Sequence, residues 1–195
     1  MPASIPVLRN TRDGRSATAI AARRGRADVL DLLGRRGIPL GLDGADVRIA
    51  ACARGDRAAA GEKPAEGGKL LAEFAGNGNL EGVRCLLDLG VAASATHGEG
   101  DPYWDVTPRS TALHVAAWRA RHAVVKELIA RGAPVNASDG KGRTALALAV
   151  KACVDSYWKD RRSPESVAAL LQAGASTAGI EIPSGYEEAD RLLRR

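Results

Sequence analysis

Apolar residues recur at helical spacing in short segments of the chain, and a glycine closes most of these segments. Val83, Leu86 and Leu87 stand at positions i, i+3 and i+4, so they share one face of a helix predicted over residues 80–89. The closing glycines stand at 37, 90, 132 and 174, where a left-handed residue is expected to end a helix. The pattern predicts a row of short amphipathic helices.

The spacing of the closing glycines indicates an internal repeat. Gly90 and Gly132 are 132 − 90 = 42 residues apart, and Gly132 and Gly174 are 174 − 132 = 42 residues apart. Within this repeat, residues 111–137 read TALHVAAWRARHAVVKELIARGAPVNA. This stretch resembles one ankyrin repeat almost from end to end, with Thr-Ala-Leu-His at 111–114 where the family carries Thr-Pro-Leu-His. The resemblance implies an all-α solenoid of stacked helix pairs that presents a binding surface.

Each 42-residue unit is about nine residues longer than an ankyrin repeat of about 33 residues. The extra residues fall in two insertions, at 94–108 and 154–162, and each insertion contains a Tyr-Trp pair. We call the first of them the insertion loop. The pairs Tyr103-Trp104 and Tyr157-Trp158 are either recognition elements or aromatic plugs that cover the stack.

The resemblance divides the chain into about five repeats within a single domain spanning residues 1–195. Their approximate bounds are 13–40, 44–60, 67–91, 109–137 and 142–175, followed by a capping helix at 186–194. The second repeat is predicted to be truncated, because residues 56–68 contain Pro64 and three glycines and cannot hold a full second helix. A capping helix is expected because a stack would otherwise leave an apolar face in water.

Composition narrows the class of protein. Aromatic residues make up only 4% of the chain, and the net charge of +5 is milder than that of an obligate nucleic-acid binder. No apolar run is long enough to cross a membrane, and the N-terminus lacks a signal-peptide core. The three cysteines form no CxxC pair, so neither a zinc knuckle nor a disulfide framework is predicted. Free thiols fit a reducing cytoplasm, and heavy use of alanine, arginine and glycine suggests a bacterial protein.

Candidate chemistry is sparse. No GxSxG, HExxH or GxxxxGK[ST] motif occurs, so we expect neither an enzyme nor a cofactor. The family resemblance implies that His114 hydrogen-bonds within and between repeats, and three scattered histidines do not predict a metal site. Cys52 is expected in the core, whereas Cys153 is expected to be partly exposed and open to oxidation.

Ankyrin proteins bind through hairpin tips and the inner faces of first helices, and these positions can be carried onto the chain. They are Arg12, Arg15, Arg23, Arg24, Arg54, Asn77, Ser110, Trp118, Arg119, Lys141, Arg143 and Lys151. Nine of the twelve are Arg or Lys and none is acidic, so a basic concave surface is expected. Trp118 is either a contact residue for a partner or a packing partner of Trp104 or Tyr103.

These positions predict a non-catalytic protein-binding adaptor or regulator whose partner presents an acidic patch. The alternative is that the same basic face binds a polyanion or nucleic acid.

Overall fold

The computed structural model describes residues 14–155 and 159–194. Within these ranges the regular structure is helical, apart from isolated β-bridges, so the all-α prediction is confirmed. The helices are α1 (Ala17–Arg23), α2 (Ala27–Arg35), α3 (Gly44–Ala53), α4 (Arg57–Ala60), α5 (Gly67–Asn77), α6 (Leu80–Asp88), α7 (Ala112–Trp118), α8 (His122–Ala130), α9 (Ala145–Asp155), α10 (Glu165–Gln172) and α11 (Glu187–Leu193). Single 3-10 turns lie at Pro102–Trp104 and Lys159–Arg161. None of the helices in the described ranges is long and apolar enough to span a bilayer.

Local sequence sets the ends of these helices. Thr111 and His114 form a reciprocal capping box at the start of α7, which satisfies backbone N–H groups that the helix leaves unpaired. The helix α10 begins at Glu165, and Pro164 takes the cap position. The Ser163 hydroxyl accepts from the Glu165 N–H at 3.3 Å and so still supports the first turn.

From α5 onward, the helices form two layers. The inner layer is α5, α7 and α9, and the outer layer is α6, α8 and α10, with each helix packed on its neighbour in the same layer. Fully buried leucines fill the space between the layers; they include Leu86, Leu113, Leu128, Leu146 and Leu170. Each such leucine contributes about 1.5–3 kcal/mol of burial. Finally, α11 packs on α10 with Ala189 and Leu193 buried, which closes the end of the stack.

The first two predicted repeats do not add two further helix pairs to the stack. Instead α1 packs against α5 of the inner layer, and α3 packs against α6 of the outer layer. Two side chains join these helix ends: Asn77 Nδ2 donates to the Arg24 carbonyl at 3.0 Å, and Asn79 Nδ2 donates to the carbonyls of Gly25 and Ala53, each at 2.7 Å. The family resemblance would place the first helix of the second predicted repeat (44–60) in the inner layer, whereas α3 lies against α6 in the outer layer. The physical reason is that α4 has only four residues and cannot supply an outer helix, so α3 lies in the outer layer.

The contact between α1 and α5 leaves no room at Gly25. A Cβ atom on this residue would lie 2.6 Å from the Phe74 ring, and its φ of +65° is left-handed. Glycine is therefore required here both by the backbone conformation and by the close approach. The N-terminal helices thus add one helix pair to the stack, in which α1 extends the inner layer and α3 extends the outer layer. The helix α2 packs against both at the end of the stack.

Candidate interaction face

The insertion loop folds into a hairpin. The Asp101 N–H donates to the Val106 carbonyl at 2.8 Å, and the Val106 N–H donates back to the Asp101 carbonyl at 3.0 Å. The 3-10 turn between them carries Tyr103 and Trp104 at the tip. We use the term inner face for the surface formed by α1, α5, α7, α9 and this loop.

Trp104 fastens the tip of the loop to the stack. Its ring packs with a small apolar cluster of Ala72, Val106 and Val115, and the Arg119 guanidinium lies 4.2 Å from its ring centroid. Its carbonyl accepts a hydrogen bond from Trp118 Nε1 at 3.1 Å. The Trp104 side chain is therefore an aromatic plug that covers the stack. Trp118 packs against the insertion loop, which carries Trp104.

Tyr103 lies on the other side of the tip. Its ring meets the Trp104 ring edge-on, with the centroids 4.8 Å apart, yet the residue remains 84% exposed. The other exposed large apolar residues in the described ranges are only 41–49% exposed, so Tyr103 is the aromatic side chain of this loop that is available to a partner.

Asp105 places a carboxylate among three cations at the start of the fifth repeat. Its oxygens lie 2.6 Å from Lys141 Nζ, 2.5 Å from Arg143 Nη1 and 3.5 Å from Lys151 Nζ. Burial alone would raise the pKa of Asp105, but the hydrogen bonds from Lys141 and Arg143 and their charges lower it to about 2. The inner face thus already binds one carboxylate, and it belongs to the same chain.

A second carboxylate fixes the position of this basic cluster. The buried Asp139 accepts from the backbone N–H groups of Lys141 and Arg143, both at 2.9 Å, and from Arg143 Nε at 2.8 Å. Thr107 of the insertion loop accepts from the Gly140 N–H at 2.8 Å. The insertion loop and residues 139–143 are therefore held together by a hydrogen bond from a backbone N–H to a side-chain hydroxyl as well as by ion pairs.

The N-terminal part of the inner face holds a concavity of about 270 Å³ between α1, α5 and the insertion loop. Its charged lining consists of Arg15, Arg23, Arg24, Lys69, Glu66, Glu73 and Asp101. Arg23 contacts Asp46 at 2.7 Å and Glu66 at 3.1 Å, and Lys69 contacts Glu99 at 2.8 Å. Arg24 lies exposed at the edge of the concavity. These acidic residues therefore offset much of the positive charge of the concavity. Carrying over the family's contact positions one by one does not reveal them.

Four of the twelve predicted contact residues lie where a partner cannot use them as expected. Ser110 is only 2% exposed and accepts from the Thr107 N–H at 3.0 Å. Arg119 is only 6% exposed because it lies beneath Trp104. Arg54 ends the outer helix α3 and pairs with Asp31 at 2.6 Å. Asn77 is occupied in the joint between α1 and α5 described above. Arg12, Tyr157 and Trp158 lie outside the described residues.

His114 is a structural residue. Its Nδ1 lies 2.8 Å from the Thr111 hydroxyl, and its Nε2 lies 3.0 Å from the Ala137 carbonyl and 3.2 Å from the Arg143 carbonyl. Burial lowers its pKa, because the protonated ring would lose its hydration. The hydrogen bonds run both within the repeat and to the next one, as the family resemblance implied.

The cysteines depart from expectation. Cys153 is only 3% exposed, and burial raises its pKa to about 11, so the predicted partial exposure was wrong. The reason is that α9 continues to Asp155 and carries Cys153 inside the helix, facing the core. Cys52 is buried as predicted, but its sulfur lies against that of Cys85, a pairing that sequence spacing did not indicate.

Together the layered helix pairs and the inner face define a helical repeat scaffold that presents a surface. Comparison with known families agrees: the family described as ankyrin repeats in three copies matches residues 71–178. This is more than half of the chain, and the protein belongs to the ankyrin repeat family.

Two curated relatives are similar over shorter regions. One is a serine/threonine-protein kinase 12 from Arabidopsis thaliana, 38% identical over 85 residues, which are 44% of this chain and 17% of the relative. The other is a putative ankyrin repeat protein from Rickettsia bellii, 31% identical over 123 residues, which are 55% of this chain and 48% of the relative. The chain thus spans less than half the length of either relative.

Proposed function

We propose that the protein is a non-catalytic adaptor or regulator that binds another protein through its inner face, and that the partner contributes acidic side chains. Ankyrin repeats are general protein–protein interaction modules, which supports the first half of this proposal. The observation that carries the second half is Asp105, a carboxylate bound by Lys141, Arg143 and Lys151. A cluster that holds an internal carboxylate has the geometry to hold one from a partner.

Exposed residues on the same face complement this basic cluster. Tyr103 presents an aromatic ring, and Arg24 presents a cation at the concavity. Tyr and Arg are enriched among residues that dominate binding energy at protein interfaces. A partner segment that combines acidic and apolar residues therefore fits this surface better than a uniformly charged one.

The experiment measures binding of a short fluorescent peptide rich in Asp and Glu, with its Asn and Gln counterpart as the neutral control. Reversing charge at Arg24 and Lys141 (Arg24→Glu, Lys141→Glu) should weaken binding by about tenfold or more. The matched control reverses Arg35 and Arg36 (Arg35→Glu, Arg36→Glu), which lie exposed at the end of α2 away from the inner face. Equal losses in both double variants would mean that only net charge matters, and the proposed face would be wrong.

Polyanion or nucleic-acid binding by the same cations is the competing function. Mixed-sequence DNA and RNA, titrated with salt, separate the two. Tighter binding to nucleic acid than to the peptide, with a steep fall in affinity as salt rises, would replace the protein-binding proposal.

We also propose that the protein works in a reducing cytoplasm, because its three cysteines are present as thiols. The similarity to a Rickettsia protein supports a bacterial origin.

A further inference from the structure

Two cysteines from different helices meet in the core. Cys52 of α3 and Cys85 of α6 have their sulfur atoms 2.7 Å apart, and both residues are buried. Heavy atoms that are not bonded usually keep about 3.5 Å or more between them, whereas the two sulfurs of a disulfide lie about 2.05 Å apart. Closing the remaining gap requires a movement of well under 1 Å, which is roughly the freedom of a side-chain torsion. The pair exists because α3 lies in the outer layer next to α6.

A cavity gives one of these sulfurs a route to small molecules. It has a volume of about 360 Å³, and Cys52 lines it together with Ile49, Leu70 and Leu86. The charged side chains of Arg48, Lys63 and Glu62 are also part of the lining. A molecule the size of water or hydrogen peroxide occupies about 30 Å³ in the liquid, so the cavity is large enough to admit one. Cys85 does not line the cavity and is reached through Cys52.

We propose that Cys52 and Cys85 are a site of oxidation by hydrogen peroxide and form an intramolecular disulfide. The sulfur of Cys52, as thiolate, attacks one peroxide oxygen, the O–O bond breaks, and the departing hydroxide takes up the thiol proton as water. Cys52 is then a sulfenic acid. The sulfur of Cys85 attacks the sulfur of Cys52, the S–O bond breaks, and the hydroxide leaves with the Cys85 proton as a second water. In total, two thiols lose two electrons, and one peroxide gains them.

Burial raises the pKa of both thiols and so keeps the thiolate fraction small at neutral pH. The reaction is therefore slow at pH 7 and faster as pH rises. A structural consequence follows from the positions of the cysteines, which are 33 residues apart in sequence. Their bond would close a loop around α4 and α5 and join the truncated second repeat to the third.

The test treats the full chain with hydrogen peroxide at pH 7 and pH 9 and maps peptides by mass spectrometry without reduction. The expected product is a peptide pair joined through Cys52 and Cys85, and the number of free thiols falls from three to one. Dithiothreitol should restore all three. The oxidised protein should unfold at a temperature about 10 °C higher, because the cross-link restricts the unfolded chain.

Cys153 is the internal control, since it is an equally buried thiol that donates to the Ser163 carbonyl at 3.5 Å rather than facing a second sulfur. Cys153→Ala should form the disulfide as the parent does. Cys85→Ala should stop at the sulfenic acid of Cys52, which dimedone traps. The proposal is overturned if Cys153 is oxidised as fast as Cys52, if the products are linked dimers, or if Cys52 proceeds to sulfinic acid in the parent chain without the cross-link.

Discussion

Removing the charge of Asp105 tests whether the insertion loop is held to the inner face by electrostatics. The substitution Asp105→Asn keeps the shape of the side chain but leaves the cations of Lys141, Arg143 and Lys151 without their shared carboxylate. Lowering the pKa from its ordinary 3.8 to about 2 corresponds to about 1.8 × 1.36, or about 2.4 kcal/mol, of stabilisation of the native state. Because the side chain is 25% exposed, solvent screens part of this, and we expect a loss of about 1.5–2.4 kcal/mol at pH 7.

The pH dependence of stability provides a second, independent test of this prediction. The folded state binds a proton at Asp105 more weakly than the unfolded state does, so the contribution is complete above about pH 5 and is lost as the pH falls through the range from 3.8 to about 2. At pH 3 the same two pKa values leave about 1.3 kcal/mol, roughly half of the full contribution. The difference between parent and Asp105→Asn should therefore shrink by about half between pH 7 and pH 3.

Urea unfolding followed by far-UV circular dichroism measures both quantities, and the fluorescence of Trp104 and Trp118 reports on the loop itself. The matched control is Glu99→Gln, which removes a carboxylate from the same loop. Glu99 pairs with Lys69, and its side chain is 82% exposed, so no measurable change is expected. If Asp105→Asn costs less than about 0.5 kcal/mol at pH 7, or if its cost does not diminish at pH 3, the ion-pair cluster does not hold the loop.

Three further tests address other parts of the structure. In urea unfolding, Trp104→Ala should lower the free energy of unfolding by about 2–4 kcal/mol, because it leaves a cavity where the ring packs between the loop and the stack. Tyr103→Ala should change it little, because its ring is exposed. Replacing His114 with Ala should cost about 2–3 kcal/mol by leaving buried backbone groups unpaired; since burial lowers the pKa of this ring, parent stability should also fall as pH drops below about 6.5. Gly25→Ala should destabilise more than Gly37→Ala, because both have positive φ but only Gly25 faces the Phe74 ring; equal losses in thermal unfolding would refute the contact between α1 and α5.

The regular part of the stack could be predicted because its signals are local. The capping box of Thr111 and His114 and the glycine at the end of each second helix act within a few residues, so sequence spacing reports them directly. The layer that α3 occupies is decided differently. Its own residues match a first helix, but its position depends on an outer helix that α4 is too short to provide, and this is a property of the neighbours rather than of α3.

The candidate site was harder to predict for the same reason. Asp105 finds its cations 36, 38 and 46 residues further along the chain, and no spacing rule connects an insertion to those positions. Arg119 matches a family contact position but lies buried, because the insertion that covers it is absent from the family pattern. Positions carried over from a family therefore hold only where no added segment folds across them.

The bound carboxylate of Asp105 also sets a cost for any partner that uses the same cations. An acidic side chain can engage Lys141, Arg143 and Lys151 only by displacing Asp105, and the displaced interaction is worth up to about 2.4 kcal/mol. The apparent affinity for a partner is the intrinsic affinity multiplied by the fraction of molecules in which the site is free. This cost therefore corresponds to a loss of apparent affinity of as much as about 60-fold. If the proposed function is correct, Asp105→Asn should destabilise the fold and yet bind the acidic peptide more tightly, up to that factor. Fluorescence anisotropy measures this directly, and unchanged or weaker binding by a folded Asp105→Asn protein would show that the partner surface lies elsewhere on the inner face.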